Sequence, residues 1–399
     1  MKNVYDFMSQ EERDDFNSDS VLDHTAAIGR ALASMPKGGV LDYPAGTINV
    51  TGVIPTNVNG FTHRGEGKEA TKIIQKSKTS DTYIFNSTQY SGVKGMTISN
   101  AEKPTAGWGV RFLKTSQYGC FFSFAEDLLL QDGFNGVDIS SSTESRVSKI
   151  HLRRPYGTNG VRIKGANYGD AGSYRAVLED IVGDTVGNGN DDIVWYNQDS
   201  FSYSLVIDKC TGLNGGKLFT QTDTANTGNS YPMWCYATDF EGDHNKHNSI
   251  ELIAGEGFVM DHSWIGSSLS GGGIVAAASH RGEIDIATTR IMGNYHNGIL
   301  IQAGPVEVSI HDNMIGANSQ VGAGQCHGII MGSNASRFRI RDNRIGSLAS
   351  GGASHGYGVF LMGGASHDYQ ITGNSVSGNI QGGVLNGAPS PTGIVVGNS

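Results

Sequence analysis

The sequence is poor in charged residues and has no cluster of basic ones. Lys and Arg number 29 against 38 Asp and Glu, which gives a net charge of -9, and charged residues make up 17% of the chain, below the ~25% that is usual in globular proteins. A surface that binds nucleic acid needs a patch or stripe of Lys and Arg. We therefore expect no nucleic-acid partner.

Long apolar runs and cysteine pairs are also missing. No run of 18 apolar residues occurs, so the sequence predicts no membrane-spanning helix and no membrane partner. The four cysteines, Cys120, Cys210, Cys235 and Cys326, form no CxxC pair, and we interpret them as small buried hydrophobic residues. Because no residue cluster has the ligand spacing of a zinc or EF-hand site, we predict no metal and no other cofactor.

Glycine, in contrast, is abundant. The 57 Gly residues are about twice the usual share, and 38% of the chain is still hydrophobic. Apolar material that is interrupted at such short intervals is typical of many short strands joined by tight turns.

One pattern recurs through the second half of the chain. It has two apolar residues at alternate positions, then two further residues, then Asn, Thr or Ser, then an apolar residue and a Gly. The copies are FVMDHSWIG (258–266), IDIATTRIMG (284–293), VSIHDNMIG (308–316), FRIRDNRIG (338–346) and YQITGNSVSG (369–378). Their sixth positions are Ser263, Thr289, Asn313, Asn343 and Asn374, spaced by 24 to 31 residues. Self-similarity at this period indicates stacked repeats.

The pattern predicts an all-β fold, a right-handed, single-stranded parallel β-helix. Alternation buries one face of each short strand, and the polar sixth residue at a bend would bond to its counterpart one rung along, forming a ladder. A second apolar alternation lies between the motifs, at 298–304, 328–334 and 358–364. Less regular rungs occur earlier, at 109–115, 136–142, 160–166 and 192–198. A β-sandwich, a propeller or a leucine-rich horseshoe fits this spacing less well.

The first forty residues differ from the rest. Residues 21–34 place Val21, Ile28 and Leu32 at near-helical spacing, and they predict one amphipathic helix. A strand over 40–50 should follow. We expect a capping segment at 1–38, which would cover the open end of the solenoid, and a β-helix domain over 39–399.

This opening resembles a known family. The segments VYDF (4–7), TAAIGRALAS (25–34) and GGVLDYPAGTINV (38–50) are similar to the entry of pectate-lyase-like β-helices, most of all bacteriophage tailspikes and capsule depolymerases. Ile48 stands where that pattern usually has an aromatic residue. The resemblance implies a homotrimer in a virion tail, outside the cell, that acts on a bacterial surface polysaccharide. It also leads us to expect a fragment or trimmed form of a longer tailspike.

Two further expectations concern the family and the cell. A bacterial member would be secreted, although the first fifteen residues lack the charged-then-apolar order of a secretory signal. The string Arg162-Ile163-Lys164 and the pair Asp191-Asp192 are similar to polygalacturonase motifs but stand in reversed order. We interpret Arg162 and Lys164 as outward residues of a strand whose Val161 and Ile163 point inward.

Hydrolysis of a polysaccharide needs two carboxylates, one as acid and one as base or nucleophile. The outward positions of the repeat include Asp208 and Asp261, which we place two rungs apart, on the order of 9–10 Å, near the top of the range for inverting enzymes. We align Asp239 with the ladder position, as a possible turn residue. Glu241 aligns with a position that is Ile elsewhere, where an apolar setting would suit a general acid.

Residues 234–264 therefore predict a sugar site. The catalytic candidates are Asp208, Asp239, Glu241, Asp261 and His262, and the candidate substrate-binding residues are Trp234, Tyr236, Trp264 and Arg290. Weaker candidates are Glu126, Asp127, Glu179, Asp180 and Asp285, while Asp312 and Asp342 read as turn formers.

The leading interpretation is an endo-acting glycoside hydrolase. Two rivals stay open. A polysaccharide lyase would use His262 as base with Arg290 stabilising the enolate, with or without a calcium ion held by distant rungs. A non-catalytic adhesin or fibre would only bind the glycan.

Overall fold

The structure, a computed structural model, describes residues 1–18, 21–115, 119–166, 172–302, 306–346, 355–364, 366–387 and 390–399. The chain divides into two compact units, residues 1–206 and 207–399. Each is a right-handed parallel β-helix, so the predicted fold class is confirmed. The boundary falls inside the strand Ser202–Leu213.

In the first unit, six of the described strands form one wall: Ile54–Thr56, Tyr83–Asn86, Trp108–Leu113, Asn135–Ser140, Asn159–Lys164 and Val194–Gln198. The other strands form the remaining walls: Lys2–Asn3, Gly39–Asp42, Gly46–Val50, Phe61–Arg64, Thr71–Gln75, Gly92–Asn100, Cys120–Phe121, Phe124–Gln131, Ser142–Thr143, Arg146–Arg153, Ser173–Tyr174 and Val177–Asp184. The predicted inward and outward alternation at 161–164 holds. Val161 and Ile163 are buried, Arg162 contacts buried Asp138, and Lys164 lies 3.1 Å from Asp199.

The second unit has three walls. The first wall consists of Lys217–Gln221, Ile250–Leu252, Ile274–Ala276, Ile299–Ile301, Ile329–Met331, Tyr357–Leu361 and Gly382–Asn386. The second wall consists of Met233–Thr238, Glu256–Asp261, Arg281–Ala287, Val306–His311, Ser336–Arg341, Gln370–Thr372 and Ile394–Val396. The third wall consists of residues 211–213, Glu241–Asp243, Trp264–Gly266, Arg290–Met292, Met314–Gly316 and Arg344–Gly346.

The N-terminal region is helical, as predicted, but contains more than one helix. The helix Thr25–Ala33 buries Ala27, Ile28 and Ala31 and contacts the strand Ile54–Thr56. A second helix, Gln10–Phe16, begins at a capping box, and a 3-10 helix spans Val4–Phe7. The predicted strand over 40–50 is two strands, Gly39–Asp42 and Gly46–Val50, separated by a bend.

Stacked isoleucines fill the interior of the second unit. Ile265, Ile291, Ile315 and Ile345 occupy the middle of successive third-wall strands and are almost fully buried. Neighbouring isoleucines of the series therefore pack against one another at the ~4.8 Å spacing of paired strands. Three cysteines are buried as predicted, while Cys326 is half-buried.

The predicted polar ladder is present at the bend between the second and third walls. Asn313 N and Nδ2 each donate to Asn343 Oδ1 at 3.0 Å. Asn343 N and Nδ2 donate to Asn374 Oδ1 in the same way. Ser263 and Thr289 continue the column toward the N-terminal side, and Asn398 extends it past Asn374. The side chains from Ser263 to Asn374 are buried, so they satisfy backbone groups that water cannot reach.

A second polar ladder, which the sequence analysis did not identify, follows the third wall. Asn294 N and Nδ2 donate to Asn318 Oδ1 at 3.1 and 2.8 Å. Asn318 contacts His355 at 3.2 Å, and His355 contacts Asn379 at the same distance. Two corners of the rung are thus held by columns of buried polar side chains.

Replacing Asn343 by Ala should destabilise the protein by about 2–4 kcal/mol. The change removes the acceptor of the Asn313 N–H and the donor to Ile310 O, and leaves both groups buried and unpaired. Urea denaturation followed by circular dichroism measures the loss. Asp342→Asn is the matched control, because Asp342 is exposed on the same bend and should cost less than about 0.5 kcal/mol. Equal losses in the two variants would contradict the ladder's role.

Candidate functional site

The outward side chains of the second wall form three columns in the second unit. The middle column contains Tyr236, Val259, Asp285, Ser309, Arg339, Gln370 and Ile394. The column nearest the bend contains Thr238, Asp261, Ala287, His311, Arg341, Thr372 and Val396. The third column, at the strand starts, contains Glu283, Glu307, Arg337, Asp368 and Thr392. We call this surface the flank.

Two of the predicted acids lie in one column of the flank. The register of residues 211–213 with Glu241–Asp243 places Asp208 beside Thr238, and Thr238 pairs with Asp261. Asp208 and Asp261 are therefore two rungs apart, with Thr238 between them. Asp208 lies 3.8 Å from Lys209 Nζ.

The predicted alignment of Asp239 and Glu241 is wrong by one residue. Phe240, not Asp239, occupies the ladder position, since its N–H donates to Ser263 Oγ at 3.1 Å. Asp239 is exposed and has the left-handed backbone conformation of His262, one rung along. Glu241 pairs in register with Trp264 rather than Ile265, and its side chain is exposed. It therefore does not sit in an apolar environment, and that argument for a general acid is removed.

The predicted histidine contacts one of the predicted acids. His262 Nδ1 lies 2.8 Å from Asp261 Oδ2, and both side chains are well exposed. Arg290 is exposed beside Trp264 on the next third-wall strand. The structure thus brings Glu241, Trp264 and Arg290 into one outward column around the bend from Asp261.

Two of the predicted aromatic residues, Trp234 and Trp264, pack against glycines of the neighbouring backbone. A Cβ at Gly257 would come within 2.5 Å of the Trp234 ring, so the indole rests directly on that glycine. Tyr236, which is 43% exposed, stacks nearly parallel to Trp234 with ring centroids 6.0 Å apart. Trp264 covers Gly266 in the same manner. Flat, half-exposed rings of this kind offer faces on which sugars stack.

The flank contains a cleft that the sequence analysis did not identify. Its volume is about 620 Å³, and it spans successive rungs from residue 283 to residue 392. The floor carries both signs of charge. Glu283, Asp285 and Glu307 occupy one end, and Arg337, Arg339 and Asp368 the other. The predicted acids Asp208, Asp239, Glu241 and Asp261 are not among the cleft residues.

Several cleft carboxylates lie near basic side chains. His311 lies between two acids, with Nε2 3.2 Å from Asp285 Oδ1 and Nδ1 2.8 Å from Asp312 Oδ2. Arg337 lies 3.6 Å from Glu307. Asp368 accepts from the His367 ring, and this hydrogen bond, with one from Thr392, lowers the pKa of its carboxyl group. Asp312, predicted as a turn former, has the left-handed conformation expected of that role.

Two acids of the cleft, Asp285 and Glu307, lie diagonally on neighbouring rungs. Asp285 pairs with Ser309, which follows Glu307 by two residues. Combining ~4.8 Å between strands with ~6.6 Å along one strand places the Cα atoms of Asp285 and Glu307 roughly 8 Å apart. Inverting glycosidases hold their two carboxyl groups ~6.5–9.5 Å apart.

Two further features of the described ranges concern a metal site and a membrane-spanning helix. No group of three or more His, Cys, Asp or Glu side chains there is arranged to hold a metal ion. No helix in the same ranges is long and apolar enough to cross a membrane.

Comparison with solved structures supports the fold. The chain is similar over its full length to the A-module of mannuronan C-5 epimerase AlgE4 from Azotobacter vinelandii, with 16% identity, a TM-score of 0.67 and 100% of that module covered. It is also similar, over 98% of its length, to tailspike protein 3 of bacteriophage CBA120, with 11% identity and a TM-score of 0.65, covering 62% of the tailspike. A GH87 alpha-1,3-glucanase catalytic unit from Streptomyces thermodiastaticus gives a TM-score of 0.55 at 13% identity, covering 98% of this chain and 69% of that unit. These similarities confirm the predicted parallel β-helix fold.

No family model matches the sequence. No curated protein matches it either. The similarity is therefore one of three-dimensional structure.

Proposed function

We propose that this protein is a glycoside hydrolase that cleaves a polysaccharide bound along the flank. The observation that carries the proposal is the cleft with Asp285 and Glu307 diagonally opposed on neighbouring rungs. One carboxyl group protonates the leaving oxygen, and the other activates water on the opposite face of the sugar, which inverts the anomeric carbon. His311 Nε2 lies 3.2 Å from Asp285 Oδ1, at the side of this pair.

The aromatic pair belongs to the same binding surface. Tyr236 and Asp285 share the middle column, with Val259 between them. A chain lying along this column would stack a sugar on Trp234 and Tyr236 about two rungs, roughly 10 Å, from the acids. A long open flank with one aromatic platform suits an endo-acting enzyme.

Structural similarity supports a biological setting for this activity. The tailspike and the glucanase share this architecture, and the sequence opening resembles tailspikes and capsule depolymerases. We infer that the substrate is a bacterial surface polysaccharide and that the chain works as a homotrimer in an extracellular virion tail.

A panel of capsular, exopolysaccharide and O-antigen polymers tests the activity. We expect one member to release short oligosaccharides with new reducing ends, and proton NMR during the reaction to show the inverted anomer first. Polymers that bind without being cleaved would favour the adhesin instead.

Proton abstraction next to a uronate carboxyl group is the second candidate. The arginines of the cleft and the epimerase similarity favour it, and His262 with Arg290 is the alternative set of residues. A lyase would yield products with the ultraviolet absorbance of an unsaturated uronate, and an epimerase would change the sugar configuration without cutting the chain. Neither signal is expected of a hydrolase.

Replacing Trp234 by Ala should raise KM about tenfold and leave kcat nearly unchanged, because the platform binds the sugar equally in the ground and transition states. Tyr236→Ala should act in the same direction. Initial rates against polysaccharide concentration measure both. Tyr90, an exposed aromatic residue of the first unit, is the control, and Tyr90→Ala should keep the wild-type KM.

A further inference from the structure

The two ends of the cleft differ in charge. Glu283 and Glu307 lie side by side in the column at the strand starts, and Asp285 lies in the middle column at the same end. Arg337 and Arg339 project from a single strand, which lies one rung beyond Glu307. Within two rungs, roughly 10 Å, the floor of the cleft therefore changes from three carboxylates to two guanidinium groups, with the carboxylate of Asp368 one rung further.

Within the described ranges, Arg339 differs from the other arginines of its strand in having no ion-pair partner. Arg337 lies near Glu307, and Arg341 near Asp342, but no carboxylate of the described ranges forms an ion pair with Arg339. Its neighbours in the middle column are Ser309 and Gln370, both uncharged. The guanidinium is exposed in the cleft, where it can bind a ligand carboxylate through two parallel hydrogen bonds.

From this charge order we infer that the substrate is an acidic polysaccharide whose carboxylate binds Arg339, about two sugars from the linkage that is cleaved. This inference rests on the proposed function for the position of the cleaved linkage. The three acids disfavour a negative sugar at their own end of the cleft, because like charges repel at this distance. A repeat unit in which at least two neutral sugars separate the acidic ones satisfies both ends at once.

Chemical reduction of the carboxyl groups gives a matched pair of substrates. The same uronate-containing capsular polymer is used in its native form and after conversion of its carboxylates to primary alcohols. We expect the wild-type protein to bind the reduced polymer at least tenfold more weakly. Arg339→Gln should bind the native polymer about 10- to 100-fold more weakly and should bind the reduced polymer as the wild type does.

Arg344→Gln is the control variant. Arg344 is exposed on the same rung but belongs to the third wall, outside the cleft, so its replacement should leave binding of both polymers unchanged. Mass spectrometry of the products should place the acidic sugar about two residues from one of the two chain ends that cleavage creates.

The outcomes separate this inference from the proposed function. Cleavage of native and reduced polymers at equal rates, or equal losses of binding for both polymers in Arg339→Gln, overturns the inference and leaves the hydrolase intact. Arginine-dependent binding without any cleavage supports the carboxylate subsite and contradicts the hydrolase. Failure to bind any acidic polymer of the panel counts against the inference.

Discussion

Replacing Glu307 by Gln, or Asp285 by Asn, should lower kcat by about 10³-fold, because each change removes a proton donor or acceptor of the reaction. Both substitutions keep the shape of the side chain, and neither residue belongs to the buried core. KM should change by less than about threefold, since the remaining cleft and the aromatic platform still bind the polymer. Release of reducing ends gives kcat and KM for each variant.

The double variant Glu241→Gln/Asp261→Asn tests the competing assignment. These two carboxylates lie around the bend from one another, outside the cleft. If the cleft is the active site, this variant should retain more than half of the wild-type kcat. Loss of turnover there, with full activity in Glu307→Gln, would move the catalytic acids to the surface around Trp264.

The protein should lose stability steeply as the pH falls from 6.5 to 5. Burial lowers the pKa of His63 to about 3, and that of His280 and His355 to about 4. In the unfolded chain these groups titrate near 6.5. The stabilisation is therefore complete above pH 6.5 and is lost as protons bind preferentially to the unfolded state.

Each of the three histidines should remove about 2 kcal/mol between pH 6.5 and pH 5, since each pKa unit corresponds to ~1.4 kcal/mol. His280 and His355 lie in the second unit and His63 in the first, so the second unit should lose about twice as much. Urea midpoints at several pH values measure the dependence.

His280→Gln is the informative variant. Its amide can still contact Gln221, which the ring reaches at 2.8 Å, but it does not titrate, so the variant should lose about 2 kcal/mol less over this pH range. His296→Gln, which replaces an exposed ring, should behave as the wild type. A wild-type pH dependence in His280→Gln would show that the buried ring does not contribute.

The repeat could be predicted because its chemistry is local. Each rung places a small polar residue at one bend, and the order of apolar residues around it is constant, so Asn313, Asn343 and Asn374 aligned directly from the sequence. The alignment failed at Phe240 because an apolar residue fills the ladder position there. Because this rung has no polar residue to mark the bend, the sequence alignment was shifted by one residue, and Asp239 and Glu241 were misplaced.

The cleft could not be predicted in the same way. Its acids and arginines lie at the starts and in the middle of second-wall strands, after connections of variable length. A backbone irregularity between Glu256 and Phe258 also shifts the register there. Alternation shows that Asp285 points outward, and Asp285 was indeed a weaker candidate. Only the three-dimensional register shows that Glu307 lies diagonally beside it and Arg339 two rungs beyond.

The polar columns also determine how such a protein can change over evolution. Because every ladder side chain is satisfied by the turn of chain directly above or below it, the segments between ladder residues can lengthen without disturbing the stack, and here they range from 24 to 31 residues. A whole rung can thus be replaced by another without changing its neighbours. Swapping the stretch between Asn313 and Asn343 for another of different length would remodel one side of the molecule and leave its scaffold intact.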